Sequence, residues 1–429
     1  MGIAILITLG IIELFFMIWC LTTKKNHSAE KSVVNLAEAA LFIVLSAANI
    51  IMWSFRYYTV AAVLAIFSLV GIISLVAKHK KEAKYKPVAV ILAPIGKTVL
   101  CTLTLVPAML FPQYEQLPVT GSYTVAEKTY VFTDASRKET YSAQDVNRSV
   151  TVDVYYPEST QDKVPLVIFS HGAFGFSGSN YSTFTELASN GYVVASINHP
   201  YHAFYDTEAY GTLVTVDPNV ISKALEFNGK ELTEEEFTLS KEWLQLRVDD
   251  MNFVVDTLKA KATDGNDDIL SRIDTDKIGL MGHSLGGAAS VETGRKRNDI
   301  SAVIDIDGTM IGEELEYSNE TCIVNNEPYP VALLDIFGEN HYNSAQKYAD
   351  QYANFIISKN SDKVIDVVFK NSGHLNFTDL VMFSPALASE LGVGTADGRE
   401  CLNKVNGVIR GFFDWQLKGA ADPQIQGEY

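Results

Sequence analysis

The chain has 429 residues, of which 47% are hydrophobic, and a formal net charge of −17 at pH 7. The charge is unevenly distributed, since residues 1–117 carry a balance of +5, which leaves −22 on residues 118–429. The acidic part is long enough to bury a full α/β core. Its negative charge argues against nucleic acid as a partner, because the phosphates of nucleic acid require clustered lysine and arginine.

Four apolar runs predict four transmembrane helices within residues 1–112. Each run is long enough to cross a hydrocarbon core of about 30 Å as a helix. The first run lacks the basic start and the small-residue cleavage site of a secretion signal, so we interpret it as an uncleaved span. The predicted spans are Ile3–Leu21, Leu36–Phe55, Tyr58–Val76 and Val88–Phe111.

The charges between the spans predict their orientation. Eight lysines lie in the loops after the first and third spans, whereas only Arg56 lies between the second and the third. Because loops rich in Lys and Arg stay in the cytoplasm, we expect a multi-pass protein of the cell membrane whose residues 113–429 form an extracytoplasmic domain beside membrane lipid. The eight lysines are Lys24, Lys25, Lys31, Lys78, Lys80, Lys81, Lys84 and Lys86.

Two ionisable residues interrupt the apolar runs, Glu13 in the first and Lys97 in the fourth. Each would cost about 2.5–3.5 kcal/mol alone at the centre of a membrane. Because antiparallel threading brings them to a similar depth, one hypothesis is an ion pair between them. The alternative is that Lys97 snorkels or faces water near Pro94 and Gly96.

Residues 113–429 are predicted to form one α/β domain. Tyr123–Phe132 and Val150–Tyr156 indicate an opening antiparallel hairpin, and apolar strands that alternate with helices follow it. That alternation is typical of a mostly parallel sheet covered on both faces. The stretch around residues 200–240 is polar and acidic and fits no strand, so it is either a lid or a surface insertion. The later strands are predicted at Pro165–Ser170, Tyr192–Ile197, Lys277–Met281, Ser301–Ile306, Val331–Phe337 and Val364–Phe369, and the helices at Thr183–Asn190, Lys241–Ala260, Ala345–Ile357 and Leu402–Leu417.

Residues 282–287 read Gly-His-Ser-Leu-Gly-Gly and place Ser284 between a buried strand and a helix. This is the context of a nucleophile elbow, in which a tight turn lifts a serine hydroxyl clear of the sheet. Side chains at Gly282 or Gly286 would obstruct such a turn. We therefore predict that Ser284 is a catalytic nucleophile, the alternative being an ordinary glycine-rich turn.

A serine nucleophile needs a histidine to take its proton and a carboxylate to orient that histidine. His374 follows the last predicted strand after a short turn, where the chain order serine, acid, histidine puts the base; His341 comes one strand too early for that role. There are three candidate acids: Asp305 lies within the strand that ends at Ile306, Asp307 stands at the end of that strand, and Glu339 follows the next strand. The position of Asp307 at a strand end favours it, whereas Asp305 would be a buried structural carboxylate.

An acyl-transfer site also needs N–H donors for the oxyanion. The turn after the strand Pro165–Ser170 supplies one from Ala173, and Leu285, which follows the nucleophile, supplies the other. Phe174 and His283 are candidates for the substrate pocket, as is His199, which otherwise hydrogen-bonds the loop. No C-x-x-C or H-E-x-x-H motif is present, so neither a metal nor another cofactor is expected.

Cys322 and Cys401 lie in the predicted outer domain. An oxidising compartment would permit a disulfide there. Nothing in their spacing shows that the two thiols are close, so the pairing stays open.

Three segments together resemble the platelet-activating-factor acetylhydrolase-like serine esterases of the α/β-hydrolase superfamily. They are Pro165–Gly172, Gly282–Gly287 and Gly373–Asp379, within a resemblance that covers roughly residues 150–419. The resemblance implies an α/β-hydrolase fold with Ser284 as nucleophile, His374 as base and Asp307 as acid. The four spans and the polar insertion Glu313–Pro330 are departures from the family pattern.

The resemblance implies calcium-independent hydrolysis of esters, with short-acyl or oxidised phospholipids as substrates and no cofactor. Two alternatives remain open. The same acyl-enzyme could transfer its acyl group to an alcohol, or the fold could serve as an inactive membrane sensor or scaffold. A transporter is a weaker alternative, because the four spans contain so few polar residues.

Overall fold

The computed structural model describes residues 1–77, 85–160, 162–227 and 232–429. It divides into two compact units. The helical unit comprises Met1–Glu115 together with Met382–Leu387, and the catalytic unit comprises Gln116–Val381 and Ala388–Tyr429. The lysines at positions 78, 80, 81 and 84, on which the predicted orientation partly rests, lie outside the described residues.

Long helices dominate the helical unit. Among the described residues, three helices are long and apolar enough to cross a membrane, namely α1, α3 and α4. The prediction of four such spans is therefore corrected to three. The second apolar run begins at Ser28, earlier than predicted, and the resulting helix includes Glu30, Lys31 and Glu38, which lower its hydropathy. The helices are α1 Gly2–Thr23, α2 Ser28–Ala47, α3 Phe55–Val76 and α4 Pro87–Leu110.

A cluster of charged side chains is buried among these helices. Lys97 Nζ lies 2.6 Å from Glu13 Oε1 and 2.8 Å from Asn35 Oδ1, and it also contacts the carboxylate of Glu38. Lys31 pairs with the other oxygen of Glu13. The ion pair between Glu13 and Lys97 that the sequence suggested is thus present, within a larger network that also holds α2.

The catalytic unit is built on one mixed sheet. Nine strands of the described chain form it in the order β1-β2-β4-β3-β7-β8-β11-β12-β13. The β1–β2 and β2–β4 pairs are antiparallel, and the remaining neighbours are parallel. The strands are β1 Val125–Lys138, β2 Asn147–Pro157, β3 Val164–Ser170, β4 Val193–Asn198, β5 Tyr205–Asp206, β6 Val214–Thr215, β7 Ile273–His283, β8 Ala302–Ile306, β9 Glu314–Ser318, β10 Thr321–Val324, β11 Ala332–Gly338, β12 Val364–Phe369 and β13 Gly427–Glu428.

Helices cover both faces of this sheet. Leu166 and Ile168 of β3 belong to the same buried cluster as residues of α7 and α8, whereas Val167 and Phe169 point to the other face, toward α5 and α13. This alternation explains why the strand is apolar throughout, as expected for a doubly covered parallel sheet. The helices are α5 Tyr181–Ser189, α6 Pro218–Phe227, α7 Glu234–Asp264, α8 Leu285–Lys296, α9 Glu339–Ala345, α10 Ala353–Asn360, α11 Leu380–Phe383, α12 Pro385–Leu391 and α13 Gly398–Lys418.

Several predicted elements differ in detail. The helix predicted over Ala345–Ile357 is replaced by α10, which begins later, at Ala353, and a separate helix, α9, ends at Ala345 and begins directly after β11. The polar insertion Glu313–Pro330 contains an antiparallel hairpin, β9 and β10. Within residues 200–240 the described part of the chain contains the two-residue pair β5–β6, α6 and the first turns of α7. Both Cys322 and Cys401 are free thiols.

Candidate active site

Ser284 stands on a tight turn between β7 and α8. Its φ of 56° is in the left-handed region, which a non-glycine residue rarely occupies. The turn needs its glycines, because a Cβ at Gly286 would lie 1.9 Å from the carbonyl oxygen of Ser170 and one at Gly282 would lie 2.1 Å from that of Gly286. Such stored backbone strain is a feature of functional sites. The geometry is that of the elbow predicted from the sequence.

His374 and Asp307 meet at the same edge of the sheet. Asp307 follows β8 and His374 follows β12, and His374 Nδ1 lies 2.7 Å from Asp307 Oδ2. Asp307 is fully buried, while the side chain of His374 is 42% exposed. The carboxyl ends of parallel strands converge at one edge of a sheet. Of the three candidate acids, Asp307 is therefore the one that the structure brings to His374.

The pKa of Asp307 is held well below its usual range. Burial opposes ionisation, but hydrogen bonds from His341 and His374 outweigh it. The N–H of Gly338 also donates to Asp307 Oδ1, at 2.6 Å. Asp307 is therefore an ionised carboxylate inside the protein.

The other two candidate acids have different surroundings. Asp305 lies within β8 and accepts a hydrogen bond from the N–H of Gly308 at 3.0 Å. It is in register with Asp335 of β11, which is in register with Asp366 of β12. Burial raises the pKa of all three carboxyls, that of Asp305 to about 8. Asp305 is therefore mainly protonated near neutral pH, and burial shifts Asp335 and Asp366 in the same direction.

Glu339 lies outside that row. Its side chain accepts a hydrogen bond from the N–H of Asn371 at 2.7 Å, so it fixes the loop that precedes His374. That contact gives it a role in the shape of the loop.

The turn that follows β3 lies against the nucleophile. A Cβ at Gly172 would come within 3.2 Å of Ser284 Cβ, so the two loops touch. Ala173, next in the chain, is exposed, and Phe174 adopts a φ of 61°. Leu285 is the first residue of α8, where backbone N–H groups have no partner within the helix. Leu285 thus follows Ser284 directly, and Ala173 follows Gly172, the residue that lies against Ser284.

His171 fixes the peptide group that carries the Ala173 N–H. Its Nε2 accepts from the N–H of His199 at 3.3 Å, so Nδ1 carries the proton and donates to the Gly172 carbonyl oxygen at 2.7 Å. Burial, together with nearby Arg247, lowers the pKa of His171 well below its usual value. The ring is therefore neutral and holds the turn in one orientation.

A buried cluster of charge underlies this turn. Arg148 makes a two-pronged contact with Asp250, with Nη2 at 2.6 Å from Oδ2 and Nε at 3.1 Å from Oδ1. Arg137 Nη2 also reaches Asp250 Oδ1, at 2.8 Å, and Arg148 Nη1 contacts Glu139 at 2.7 Å. Fork-shaped pairs of this kind satisfy several acceptors at once. None of these residues stood out in the sequence, where Arg148 and Asp250 are 102 positions apart.

The predicted pocket residues occupy different places. His199 has no exposed surface, and its ring nitrogens contact Ser170 Oγ at 3.0 Å and Asp250 Oδ2 at 2.9 Å, so it supports the turn from below instead of facing an open cavity. His283 is also buried, and its Nε2 lies 2.9 Å from the carbonyl oxygen of His374. Of the three, Phe174 is the one with a partly exposed side chain.

The described residues contain no group of His, Cys, Asp and Glu arranged to hold a metal ion.

One contact near Asp307 is not predicted from the sequence. His341 Nδ1 lies 3.0 Å from Asp307 Oδ1. The sequence carries no local signal for this contact, because the contact depends on β11, which α9 follows directly, lying beside β8 in the sheet.

The sheet order and the serine elbow define the class of protein as an α/β-hydrolase. The model of the family of platelet-activating factor acetylhydrolase, isoform II, matches residues 132–419, which is more than half of the chain. The chain belongs to this family.

Individual relatives are distant. A platelet-activating factor acetylhydrolase of Cavia porcellus is 25% identical over an alignment of 256 residues, and the match covers 55% of this chain and 53% of that protein. A probable 1-alkyl-2-acetylglycerophosphocholine esterase of Arthroderma benhamiae is 25% identical over 181 residues, 42% of this chain and 40% of the relative. The chain thus spans about half the length, or less, of the curated relatives it matches.

Among solved structures, a ferulic acid esterase from Streptomyces cinnamoneus superposes with a TM-score of 0.53 at 20% identity. The match covers 71% of this chain and 94% of that one. At this level of identity the similarity concerns the fold alone.

Proposed function

We propose that the chain hydrolyses carboxylic esters through an acyl-enzyme formed on Ser284. The observation that carries the proposal is the 2.7 Å contact between His374 Nδ1 and the buried Asp307 carboxylate, at the sheet edge where Ser284 stands on its strained turn. These are the three roles that an activated serine requires. Membership of the acetylhydrolase family supports the same reaction.

The proton movements follow from this arrangement. Asp307 binds Nδ1 of His374, so Nε2 is the basic nitrogen. It removes the proton from Ser284 as the hydroxyl oxygen attacks the ester carbonyl carbon, and it returns that proton to the departing alcohol. Water, activated in the same way, then cleaves the acyl-enzyme. The buried Asp307 charge stabilises the imidazolium formed in both steps.

The oxyanion of each tetrahedral intermediate needs fixed donors. We assign these to the N–H groups of Ala173 and Leu285. The Gly172 carbonyl, on the peptide that carries the Ala173 N–H, accepts from His171 Nδ1 at 2.7 Å and from the Gly175 N–H at 3.1 Å. Donors held in advance of the reaction stabilise the developing charge without reorganisation.

The proposed substrates are phospholipids with a short or oxidised acyl chain. The name of the Arthroderma relative refers to an ester of this kind, 1-alkyl-2-acetylglycerophosphocholine, and that of the Cavia relative refers to an acetylhydrolase of platelet-activating factor. The three apolar helices of the helical unit would keep the protein at a lipid surface. Both features favour an ester presented by a membrane lipid.

We also propose that the catalytic unit lies outside the cytoplasm. Five lysines stand between positions 78 and 86, directly before α4, and a single crossing by α4 leads from this lysine-rich segment to the catalytic unit. Fusion of alkaline phosphatase, which is active only outside the cytoplasm, to the C-terminus should give active enzyme in cells. The opposite result would place the catalytic unit in the cytoplasm: the phosphatase fusion would be inactive, and a separate C-terminal fusion to green fluorescent protein would fluoresce.

A fluorophosphonate probe and an ester panel test the proposed reaction. The full chain in detergent micelles should be labelled and should hydrolyse 1-alkyl-2-acetyl-glycerophosphocholine faster than its long-acyl analogue. Ser284→Ala should lose labelling and at least about a thousandfold in kcat, because the covalent route is removed. Ser222→Ala, which alters an exposed serine of α6, should behave like the native chain. Absence of labelling in the native chain would refute the proposal.

A further inference from the structure

The carboxylate of Asp307 is shared by two histidines. Oδ2 lies 2.7 Å from His374 Nδ1, and Oδ1 lies 3.0 Å from His341 Nδ1. The proposed reaction uses only the first contact. The second gives Asp307 another titratable partner, whose state changes the charge that His374 meets.

His341 is held at both of its ring nitrogens. Its Nε2 lies 2.7 Å from the hydroxyl of Tyr352, which in turn lies 3.0 Å from Thr309 Oγ1. The ring of Phe337 packs edge-on against it, with centroids 5.6 Å apart. The His341 side chain nevertheless retains 22% exposure, so it can exchange protons with solvent.

The charged groups around His341 favour its protonated form. Asp307 and Asp305 face it from the end of β8, with Asp335 of β11 deeper in the sheet, Tyr352 on its far side and His374 across Asp307. Burial opposes the charge of His341, but its hydrogen bond and attraction to Asp307 outweigh this and raise its pKa. Asp305 and Asp335 have raised pKa values, so Asp307 supplies most of the negative charge near neutral pH.

We propose that His341 is a positioning residue that shares Asp307 with His374 and sets the lower pH limit of ester hydrolysis. The inference rests on the proposed function of Ser284, Asp307 and His374. When His341 is neutral, it donates a hydrogen bond that fixes Asp307, and the full carboxylate charge is available to His374. When His341 is protonated, it neutralises most of that charge.

The protonated form of His341 has two opposing effects on His374. Beside a protonated His341, a further proton on His374 is disfavoured, so His374 stays competent as a base at lower pH. The imidazolium formed during the reaction is stabilised less, so the rate of the step falls. Acidification should therefore reduce kcat/KM in two steps: a partial loss as His341 gains its proton, and a complete loss when His374 does.

Two substitutions separate the hydrogen bond from the titration. In His341→Asn the side-chain amide can still donate to Asp307 Oδ1 but cannot ionise; His341→Phe removes both properties. Above pH 8 the Asn variant should stay within about threefold of native kcat, whereas the Phe variant should lose about tenfold, because a hydrogen bond to a charged group is lost. KM should be unchanged in both.

The pH profile is the deciding measurement. Using the full chain in micelles and a short-acyl ester, we expect the acid limb of kcat/KM to become a single ionisation in both variants. Its midpoint should lie at least about half a pH unit above the final step of the native profile, since a nearby positive charge no longer disfavours protonation of His374. His27→Gln, which removes a histidine of the helical unit, should leave the native profile unchanged.

Superimposable pH profiles for the native chain and His341→Asn would overturn the inference, as would complete inactivity of folded His341→Asn at every pH. These results differ from a failure of the proposed function. In that case the native chain would neither react with the fluorophosphonate nor hydrolyse any ester.

Discussion

The helical and catalytic units each bury a cluster of charge, and the two clusters are satisfied by different chemistry. In the helical unit the ammonium of Lys97 binds Glu13, Asn35 and Glu38, so one point charge joins three helices. In the catalytic unit the planar guanidinium of Arg148 donates hydrogen bonds to Asp250 from two nitrogens and to Glu139 from the third.

The difference concerns what each cluster holds in place. Lysine donates in flexible directions and connects helices, whereas the arginine fork fixes the orientation of its acceptor. Asp250 in turn contacts His199, which lies under the turn that follows β3. The arginine-based cluster therefore determines geometry close to Ser284, and the lysine-based cluster determines helix association.

Removing Asp250 should have the larger effect on stability. Asp250→Asn leaves Arg148 and Arg137 short of their main counter-charge inside the protein, and we expect a loss toward the upper end of about 3–5 kcal/mol. Hydrogen exchange of peptides from β2 and α7, measured on the full chain in micelles, would report it. Asp249→Asn is the matched control, because Asp249 accepts an exposed hydrogen bond from Gln245, and this substitution should change stability by less than about 0.5 kcal/mol. Equal hydrogen exchange in Asp250→Asn and Asp249→Asn would show that the charge of Asp250 does not contribute to stability as expected.

Removing Lys97 should have a somewhat smaller effect. Lys97→Met strands Glu38 and one oxygen of Glu13 among the helices, at a cost of about 3 kcal/mol. The fraction of protein extracted as folded, monodisperse material should fall, and exchange in α1 and α4 should accelerate. The double variant Lys97→Met with Glu38→Gln should recover most of the loss, since Glu13 keeps Lys31 as a partner. A double variant no better than the single one would show that Lys97 acts through packing.

The same two clusters show what could be predicted from sequence. Glu13 and Lys97 could be paired because a charge inside an apolar run is conspicuous and its depth follows from helix geometry. Glu38 was missed, because a helix starting at Leu36 would leave it in the first turn, whereas the helix begins at Ser28 and buries it. Arg148 and Asp250 stand in polar surroundings in the sequence, and only the sheet brings them together.

In the candidate site, the contact between Asp307 and His374 can be predicted from the sequence. Local motifs mark strand ends, and parallel strands bring those ends to one edge. His341 was set aside because it follows an earlier strand than His374. The strand order β8-β11-β12 places its loop next to Oδ1 of Asp307, and that order is not visible in the sequence.

The helical unit includes Met382–Leu387, although the residues on either side belong to the catalytic unit. Phe383 packs against Phe55 and Phe111, and Ser384 Oγ donates to the carbonyl oxygen of Leu110. The chain therefore passes between the units three times, and no single cut separates them. A fragment starting at Gln116 would carry this apolar segment without its partners. In terms of modularity, the helical unit is not an appended accessory, because it incorporates a segment of the chain that follows His374.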